Sequence, residues 1–596
     1  MAAIIDRSVP SSYERNNNAI RSQSIDLTSP RKARRSDGSS TSQVFGGGYS
    51  TNTSSEYPDT GVTRKYSFDV NYATIAPDGV SRQSILINGQ FPGPTIVANY
   101  GDWIEVEVTN SLPDEGTTIH WHGMLQKESQ WMDGVPSVQQ CPLAPGKTFT
   151  YRFRADQVGT TWWHSHYSGQ FTTGAYGALI INGNENSEYD EDIGPIFLSD
   201  WYHETLNQDL NTTIHSGNSQ PPPVDNLLIN GKMPFNCSKT TLPCTPNAPL
   251  SKFFFTPGKK YRLRLINSSA ATNAKFSIDG HTFTVIAHDF TPLQPYKTDL
   301  ISLANGQRAD VIVEAIGAPG SSYWMRSDLG DGTNQRACID AVTSPIRTAV
   351  AAVYYDGADT NSLPTTTSSI DPARLLPCSN DALNQTVPVK AVSSDIQGEL
   401  TTVEMYINFT HLDNPSINSW TINGASYHAD FSRALLSDVK SGNANSASDT
   451  FLYNFGSNGT VRLVLYNLFP FTHHPMHLHG FNFQVLAEGF GTWDGTITNP
   501  DNPTRRDVVV LDKAIFNPNG PATPAYTVIQ FFTDNPGTWP FHCHMSWHNS
   551  AGLFSNLLIR PADVERLTIP DSITQICKDW NSWDSESGYE PIDSGI

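Results

Sequence analysis

A short unit that predicts β structure occurs three times along the chain. Each copy holds an Ile-Asn-Gly turn, at residues 87–89, 229–231 and 422–424. Each turn is followed by a segment in which apolar and polar residues alternate, at residues 103–108, 261–265 and 461–465. Alternation with a period of two is typical of half-buried strands. We therefore expect one β unit to be repeated three times.

Length and composition agree with three all-β domains. The chain has 596 residues, with 43 glycines, 40 prolines and only 16% charged residues, which suits turn-rich β-sandwiches of ordinary size. Residues 1–64 are rich in Ser, Asn and Arg and predict a disordered extension. The predicted segments after it are 65–185 (domain 1), 186–357 (domain 2, without metal ligands), 358–395 (a linker), 396–562 (domain 3) and 563–596 (a C-terminal tail).

Ten of the 17 histidines fall in four short windows. The windows contain His120 and His122; His164 and His166; His474, His477 and His479; and His542, His544 and His548. In a strand, side chains at positions i and i+2 point to the same face, so an H-x-H pair can present two imidazoles to one group of metal ions. The sequence therefore predicts a metal cluster surrounded by paired histidines.

Cys543 lies between His542 and His544 and should point to the opposite face of the strand. Its thiolate would then bind a different ion from its neighbours, and a few covalent bonds would join the two metal sites. Two imidazoles with one thiolate form a trigonal site that favours copper. Zinc is the main alternative, but structural zinc prefers four ligands in a closed local set, and ten histidines with one cysteine are too rich in nitrogen for it.

Four segments resemble the copper-binding motifs of the multicopper oxidases. They are His120-Trp121-His122-Gly123, His164-Ser165-His166, His474-Pro475-Met476-His477-Leu478-His479-Gly480 and His542-Cys543-His544. Within that family the chain is most similar to ascomycete laccases, from residue 65 to the end. The four motifs together are highly specific, whereas one H-x-H pair alone is a weak signal.

The resemblance implies four copper ions as the cofactor. It implies a type 1 copper held by His474, Cys543 and His548, and the H-P-x-H-x-H register selects His474 over the adjacent His473. It implies a type 2 copper held by His120 and His477. It also implies a type 3 copper pair, whose ligands would be His122, His164, His166, His479, His542 and His544. Leu553 would occupy the axial position of the type 1 copper without coordinating it, which raises the reduction potential.

The resemblance also implies a fold of three consecutive cupredoxin-like Greek-key β-sandwich domains. Residues 159–164 and 537–542 are near copies from the first and third units, whereas the comparable stretch of the second unit, residues 322–327, has no ligand. Domains 1 and 3 would therefore hold the trinuclear copper cluster between them. Domain 2 would be a spacer that helps to shape the substrate pocket.

The implied activity is that of a laccase, which oxidises diphenols, aminophenols or lignin- and melanin-type phenols by one electron at a time and reduces dioxygen to water. Asp133 matches a position proposed to supply protons, and Asp225 matches an acid that accepts the phenolic proton. A dedicated phenol-coupling oxidase of a pigment or secondary-metabolite pathway is the alternative. Ala271 mildly favours it, because some ascomycete laccases have a pocket glutamate there. A ferroxidase and a non-catalytic copper-binding protein are less favoured.

Cysteine use favours the secretory route. Of seven cysteines, six are left for disulfides once Cys543 is assigned to copper. The resemblance implies the pairs Cys141–Cys577 and Cys338–Cys378, with Cys237–Cys244 as the remaining local pair. Seven glycosylation sequons point to an extracellular glycoprotein, at Asn52, Asn211, Asn236, Asn267, Asn384, Asn408 and Asn458. Residues 1–60 contain no apolar signal-peptide segment, so an incorrect start, another export route and an intracellular enzyme all stay open.

Charge and hydropathy limit the partners. The net charge of -20 argues against nucleic acid, and no apolar run reaches the length of a membrane span. We expect a monomer whose partners are a small phenol and dioxygen. The chain ends in Asp593-Ser594-Gly595-Ile596, which resembles the Asp-Ser-Gly-Leu terminus that enters the trinuclear channel in ascomycete laccases. A Cys141–Cys577 bond would tether this tail close enough to act as a similar plug.

Overall fold

The structure, a computed structural model, describes residues 58–184, 186–215, 221–329, 347–411, 417–443, 451–457, 459–589 and 591–596. Within these residues, six β-sheets form three sandwiches in chain order. The predicted all-β class with three cupredoxin-like domains is therefore confirmed. The first 57 residues, which include most of the predicted N-terminal extension, lie outside the described residues.

Domain 1 is a sandwich of two four-stranded sheets. Its strands are β1 (Thr63–Ile75), β2 (Arg82–Ile87), β3 (Ile96–Asn99), β4 (Trp103–Asn110), β5 (Ile119–Trp121), β6 (Thr148–Arg154), β7 (Gly159–Ser165) and β8 (Tyr176–Asn182). The sheet orders are β2-β1-β4-β6 and β3-β8-β7-β5. The first strand begins two residues before the predicted boundary at 65, because Thr63 already pairs with Trp103 of β4.

Domain 2 pairs a six-stranded sheet with a five-stranded one. Its strands are β9 (Glu191–Trp201), β10 (Asn226–Ile229), β11 (Lys252–Phe255), β12 (Lys260–Asn267), β13 (Ala274–Ile278), β14 (Phe283–His288), β15 (Thr291–Thr298), β16 (Ile301–Leu303), β17 (Arg308–Glu314), β18 (Ser322–Asp328) and β19 (Thr348–Tyr355). The sheet orders are β10-β9-β12-β17-β14-β15 and β11-β19-β18-β13-β16. Apolar side chains from both sheets form one core.

Domain 3 repeats the architecture of domain 2. Its strands are β20 (Glu399–His411), β21 (Asn418–Ile422), β22 (Leu452–Asn454), β23 (Gly459–Asn467), β24 (His474–Leu478), β25 (Phe483–Phe490), β26 (Thr504–Arg506), β27 (Val508–Leu511), β28 (Ala525–Phe532), β29 (Gly537–Cys543) and β30 (Phe554–Ile559). The sheet orders are β21-β20-β23-β28-β25-β26 and β22-β30-β29-β24-β27. Helices are few and short apart from the last: α1 (Leu206–His215), α2 (Leu435–Lys440), α3 (Ser546–Ser550), α4 (Pro561–Val564) and α5 (Asp571–Ser587).

The Ile-Asn-Gly repeat forms the same turn in all three domains. Asn88, Asn230 and Asn423 have φ values of 54°, 49° and 52°, and the glycine after each is also left-handed. Asparagine and glycine tolerate this conformation best, which is why the pair favours two-residue β-turns. Each asparagine side-chain oxygen accepts a backbone N–H from a neighbouring strand, at 2.7, 2.7 and 2.9 Å. The repeat therefore fixes equivalent strand connections.

The three alternating segments form the strands β4, β12 and β23, but only β4 is half-buried as predicted. In β12 the arginines that alternate with leucines are buried, because Arg262 pairs with Asp310 at 2.5 Å and Arg264 pairs with Asp192 at 2.8 Å. Arg264 also donates to the Thr160 hydroxyl of domain 1 at 2.7 Å. The polar face of β12 is thus an interface between domains, and the half-buried expectation was wrong there.

The C-terminal segment returns to domain 1. Helix α5 buries Ile573, Ile576 and Trp580 in the core of that domain, and the predicted Cys141–Cys577 disulfide is present. The predicted Cys237–Cys244 bond is also present. Cys378 is disulfide-bonded as well, but its predicted partner Cys338 lies outside the described residues. The Cys141–Cys577 disulfide therefore attaches α5 to domain 1 and keeps the residues that follow it close to that domain.

Four of the sequon asparagines, at 211, 236, 384 and 408, are exposed. Asn267 is buried, and its amide donates to the carbonyl oxygens of Thr272 and Leu303 at 2.9 and 2.8 Å. That sequon is unsuited to carry a glycan in the folded protein. Asn52 and Asn458 lie outside the described residues. Among the described helices, none has both the length and the apolar character needed to cross a membrane.

Candidate metal centre

Strand pairing brings the histidine motifs together in two equivalent places. In domain 1, His120 of β5 lies opposite His164 of β7. In domain 3, His477 of β24 lies opposite His542 of β29. Directly opposed residues of antiparallel strands have their side chains on the same face. Each domain therefore presents one pair of opposed histidines, and each pair extends into the adjacent H-x-H motifs.

Eight buried histidines form what we call the histidine cluster: His120, His122, His164, His166, His477, His479, His542 and His544. The cluster spans the boundary between domains 1 and 3. The rings of His122 and His477 stack with centroids 4.0 Å apart, and those of His120 and His479 lie 4.1 Å apart. Three subsets have ligand atoms within 4.8 Å of one another: His120, His477 and His479; His120, His122 and His164; and His166, His479 and His542.

Hydrogen bonds show that the cluster is suited to cations. His542 Nδ1–H donates to the Cys543 carbonyl at 2.9 Å, and His479 Nδ1–H donates to Asp133 Oδ2 at 2.8 Å. Burial lowers the pKa of both rings, that of His542 to about 4, so both are neutral at pH 7. Their Nε2 lone pairs then face each other at 3.0 Å. Two facing lone pairs repel unless a cation binds both, so these residues fit a metal ion.

Three further rings are held in the same way. His120, His164 and His477 each use Nδ1 to donate to a backbone carbonyl, at 2.8, 2.9 and 2.8 Å. Among the described residues, the Nε2 atom of each has no hydrogen-bond partner although it is buried. A buried polar atom without a partner is costly and calls for a ligand. By accepting from Nδ1–H, these backbone carbonyls fix the tautomer whose Nε2 lone pair can bind metal.

A second group, the cysteine group, consists of His474, Cys543 and His548. The two Nδ1 atoms lie 3.1 Å apart, and Cys543 Sγ lies 3.5 Å from His548 Nδ1. All three side chains are buried. The Leu553 side chain is also buried, and its backbone accepts from Cys543 N at 3.1 Å and donates to the His548 carbonyl at 3.0 Å. Two nitrogens and one sulfur at these separations suit a trigonal copper site.

The two groups are joined by the end of β29. His542 and His544 belong to the histidine cluster, whereas Cys543 belongs to the cysteine group. This arrangement follows from the alternation of side chains along a strand. Within the described residues, the histidines outside the motifs belong to no such metal-ligand group. His203 instead pairs with Asp78 at 2.8 Å, and His281 contacts the Tyr355 hydroxyl at 2.6 Å.

Sequence reasoning missed a buried ion network beside the cluster. Asp507 accepts from both terminal nitrogens of Arg308, each at 2.6 Å, and its Oδ1 lies 3.2 Å from His122 Nε2. Its backbone carbonyl accepts from His477. Asp289 and Arg506 complete the network with a 3.1 Å contact. The available signal was the charged run Arg505-Arg506-Asp507 immediately before the apolar strand β27.

Domain 2 takes part in this site. Arg308 belongs to its strand β17, and two glycines show how closely the network is packed. A Cβ at Gly123, which follows His122, would lie 2.5 Å from Asp507 Oδ2 and 2.7 Å from Arg308 Nη2. A Cβ at Gly306 of domain 2 would lie 2.8 Å from the His544 ring. Domain 2 therefore packs directly against the histidine cluster, in addition to its expected role as a spacer.

The two predicted catalytic acids lie in different surroundings. Asp133 is buried. Its Oδ2 accepts from His479 Nδ1–H at 2.8 Å, and its Oδ1 lies 3.3 Å from His120 Nδ1. It therefore contacts histidines of two domains. Asp225 is partly exposed and accepts the backbone N–H of His203 at 2.7 Å. Burial raises its pKa. Asp225 is not among the described residues that line the cavity beside His548.

One cavity borders the cysteine group, and another borders the histidine cluster. An open cavity of about 70 Å³ is lined by His548 and by the aromatic side chains of Phe409, Trp420, Phe469, Phe471 and Trp547. A smaller cavity of about 10 Å³ borders the histidine cluster and is lined by Ile596, the last residue. The first gives a small molecule access to the cysteine group. The second is where the C-terminal tail meets the cluster.

Three segments of the chain match the multicopper oxidase family, at residues 69–186, 192–350 and 419–563. Laccase-2 of Botryotinia fuckeliana is 36% identical, over 94% of this chain and 93% of that protein. Dihydrogeodin oxidase of Aspergillus terreus is 34% identical, over 89% of this chain and 90% of that protein. The crystal structure of the laccase from Botrytis aclada superposes with a TM-score of 0.82 at 34% identity, and covers 93% of this chain and 100% of that one.

Proposed function

The chain belongs to the multicopper oxidase family, and we propose that it acts as a laccase, oxidising phenols and reducing dioxygen to water. One arrangement carries the proposal. Residues 542–544 join the cysteine group to the histidine cluster, and an open cavity reaches His548 of the cysteine group. A protein that only stored copper would need neither the covalent link nor the cavity.

The donor atoms support one assignment of ligands. His474, Cys543 and His548 would hold the type 1 copper, and the buried Leu553 would lie beside it without coordinating it. His120 and His477 would hold the type 2 copper. The type 3 pair would be held by His122, His164, His166, His479, His542 and His544. Bound copper would supply one-electron oxidation of the substrate and four-electron reduction of dioxygen.

The residues around these sites orient groups and move protons. In the overall reaction, four phenols each lose one electron and one proton, and one dioxygen becomes two waters. Asp133 is the proposed proton donor, because its Oδ2 already contacts His479 Nδ1 at 2.8 Å and its Oδ1 lies 3.3 Å from His120 Nδ1 inside the cluster. Asp225 is the proposed acceptor of the phenolic proton, and its raised pKa makes it a better base. It lies outside the described cavity lining, so the proton would reach it through water.

The C-terminal residues are proposed to plug the channel to the histidine cluster. Asp593 accepts from the Ser168 hydroxyl at 2.8 Å, and the Ser594 hydroxyl donates to the Asn549 carbonyl at 2.8 Å. Ile596 is buried and lines the cavity beside the cluster. These bonds hold the tail between two ligand-bearing segments, after β7 and in α3. A freely solvated acidic tail would make none of them.

A dedicated phenol-coupling oxidase is the second candidate. The similarity to dihydrogeodin oxidase supports it, because that protein is named for one substrate. A ferroxidase is less favoured. Iron(II) binding needs oxygen ligands near the cysteine group, and no Asp or Glu occurs among the described residues that line the cavity.

Passage through the secretory route is also proposed. It is supported by the disulfides Cys141–Cys577 and Cys237–Cys244 and by the four exposed sequons. Glycosidase treatment of the protein purified from its own source should lower its mass. An unchanged mass, with the protein retained inside the cell, would contradict this proposal.

Oxygen uptake by copper-loaded protein tests the function. We expect uptake with phenols and little with ferrous iron or ascorbate. His474→Gln should abolish phenol oxidation, and His473→Gln serves as the matched control because that adjacent buried histidine belongs to no metal-ligand group among the described residues. Uptake with iron alone would overturn the proposal. Rapid turnover of only one of many phenols would favour the dedicated oxidase.

A further inference from the structure

The cavity beside His548 has a continuous aromatic wall. The Trp420 ring lies 4.6 Å from the His548 ring, between centroids. Phe469 meets Trp420 edge to face at 5.2 Å, and Phe409 meets both at 5.2 and 5.6 Å. Aromatic rings prefer such tilted and edge-on arrangements, and a further ring gains free energy by joining them in the same way. The wall is therefore built to accept an aromatic ligand next to His548.

The wall continues beyond the mouth of the cavity. Phe471 lies 5.4 Å from Phe469, and Phe516 lies 5.8 Å from Phe471. These two outer rings are 53% and 52% exposed, and the neighbouring Ile515 is 50% exposed. Contiguous exposed apolar side chains beside a cavity mark a binding surface rather than ordinary surface variation. A one-ring phenol seated at His548 would leave these outer rings uncovered.

The described part of the cavity lining carries no charged side chain. Among its described lining residues there is no Asp, Glu, Lys or Arg. Two polar side chains of the lining already make hydrogen bonds: Asn418 Nδ2 donates to the Thr213 carbonyl at 2.7 Å, and the Thr472 hydroxyl donates to the His473 carbonyl at 3.2 Å. A charged ligand would lose hydration without gaining an ion pair. The cavity therefore favours uncharged ligands.

We propose that the physiological substrates are uncharged phenols with two or more planar rings. The phenolic ring would lie against His548 and Trp420, and a second ring would cover Phe471 and Phe516. This inference rests on the proposed oxidase function and narrows its substrate class.

Steady-state kinetics can test the role of the outer rings. Three probes are compared: a one-ring diphenol, an uncharged two-ring phenol, and the sulfonated form of the two-ring phenol. Phe471→Ala should raise KM for the uncharged two-ring phenol about 2- to 12-fold, which corresponds to about 0.5–1.5 kcal/mol for one ring–ring contact. KM for the one-ring diphenol should rise by a smaller factor, because that ligand is too short to cover the Phe471 ring as fully. The sulfonated probe should bind more weakly than its uncharged parent.

Phe254→Ala is the matched control, because Phe254 is 61% exposed and lies on strand β11 of domain 2. It should change no KM. Equal KM increases for one-ring and two-ring phenols in Phe471→Ala would overturn the inference. So would equal binding of the sulfonated and uncharged probes.

A binding measurement separates this inference from the proposed function. The methyl ether of the two-ring phenol has no phenolic hydroxyl and serves as a non-oxidised ligand. Calorimetry on copper-loaded protein measures the dissociation constant of this methyl ether. The constant should be about 2- to 12-fold lower for the unsubstituted chain than for the Phe471→Ala variant. If it is lower but no phenol supports oxygen uptake, the oxidase proposal fails and the aromatic site stands. Equal binding to both proteins would overturn the aromatic site.

Discussion

Replacing Arg308 with leucine should weaken the protein at the junction of its three domains. Arg308 is fully buried, makes two 2.6 Å contacts with Asp507 and lies 3.5 Å from Asp289. In the described network, the substitution leaves Arg506 as the cation beside both Asp289 and Asp507. Removing one partner of a buried ion pair costs about 3–5 kcal/mol. Two charges about 4 Å apart interact by about 4 kcal/mol at an effective dielectric constant of about 20, which agrees with that range.

Guanidinium unfolding of the copper-free protein measures this cost without a contribution from metal binding. For slopes of about 4 kcal/mol per molar, the midpoint of the first unfolding transition should fall by about 1 M. Arg374→Leu is the matched control. Arg374 is 46% exposed and pairs with Asp299 at 2.7 Å on the surface, where an ion pair contributes about 0–1 kcal/mol.

The same substitution should disturb the histidine cluster in the copper-loaded protein. Asp507 contacts His122 through its carboxylate and His477 through its carbonyl, so loss of Arg308 should alter the electron paramagnetic resonance signal of the type 2 copper. The visible absorption from the cysteine group should stay the same. Equal unfolding midpoints for Arg308→Leu and Arg374→Leu, with an unaltered signal, would refute the reasoning.

Three further predictions concern the axial residue, a buried acid and the tail. Leu553→Met should lower the reduction potential of the type 1 copper, because the thioether can coordinate; an equal or higher potential in a redox titration would contradict the axial assignment. Burial raises the pKa of Asp156 in the folded protein to about 7. Its contribution to the free energy of unfolding is therefore complete below about pH 4. As pH rises from there to about 7, the free energy of unfolding falls by up to about 1.4 kcal/mol per pH unit. Asp156→Asn should therefore gain thermal stability relative to the unsubstituted chain between pH 4.5 and 7.5, and identical pH profiles would contradict this. Deleting residues 593–596 should change the rate at which dioxygen reoxidises the reduced enzyme, and an unchanged rate would count against the plug.

Local rules were enough to predict how the proposed ligands are divided between two groups. The two-residue period of a strand places His542 and His544 on one face and Cys543 on the other, and the structure shows that separation. The sequence alone did not predict which histidine motifs lie opposite each other on neighbouring strands. The pairing of His120 with His164 joins β5 to β7, and because β6 lies between them in the chain, no hairpin turn fixes their register.

The interdomain chemistry was missed for a similar reason. Arg308 and Asp507 are 199 residues apart, and single charged residues are expected at the surface by default. By contrast, the burial of α5 could have been found. Ile573, Ile576 and Trp580 repeat at spacings of three and four residues, which is typical of a helix with one buried face. Treating residues 563–596 as a tail passed over that pattern.

Copper content and visible absorption, measured together on Cys543→Ser and on the unsubstituted chain, test the central claim most directly. The claim is that β29 carries ligands for two separate metal sites. The unsubstituted protein should bind four copper ions and show the intense visible absorption of a copper–thiolate bond. Cys543→Ser should keep three ions and lose that absorption. A colourless unsubstituted protein with far fewer than four ions, or equal spectra for both proteins, would contradict the account.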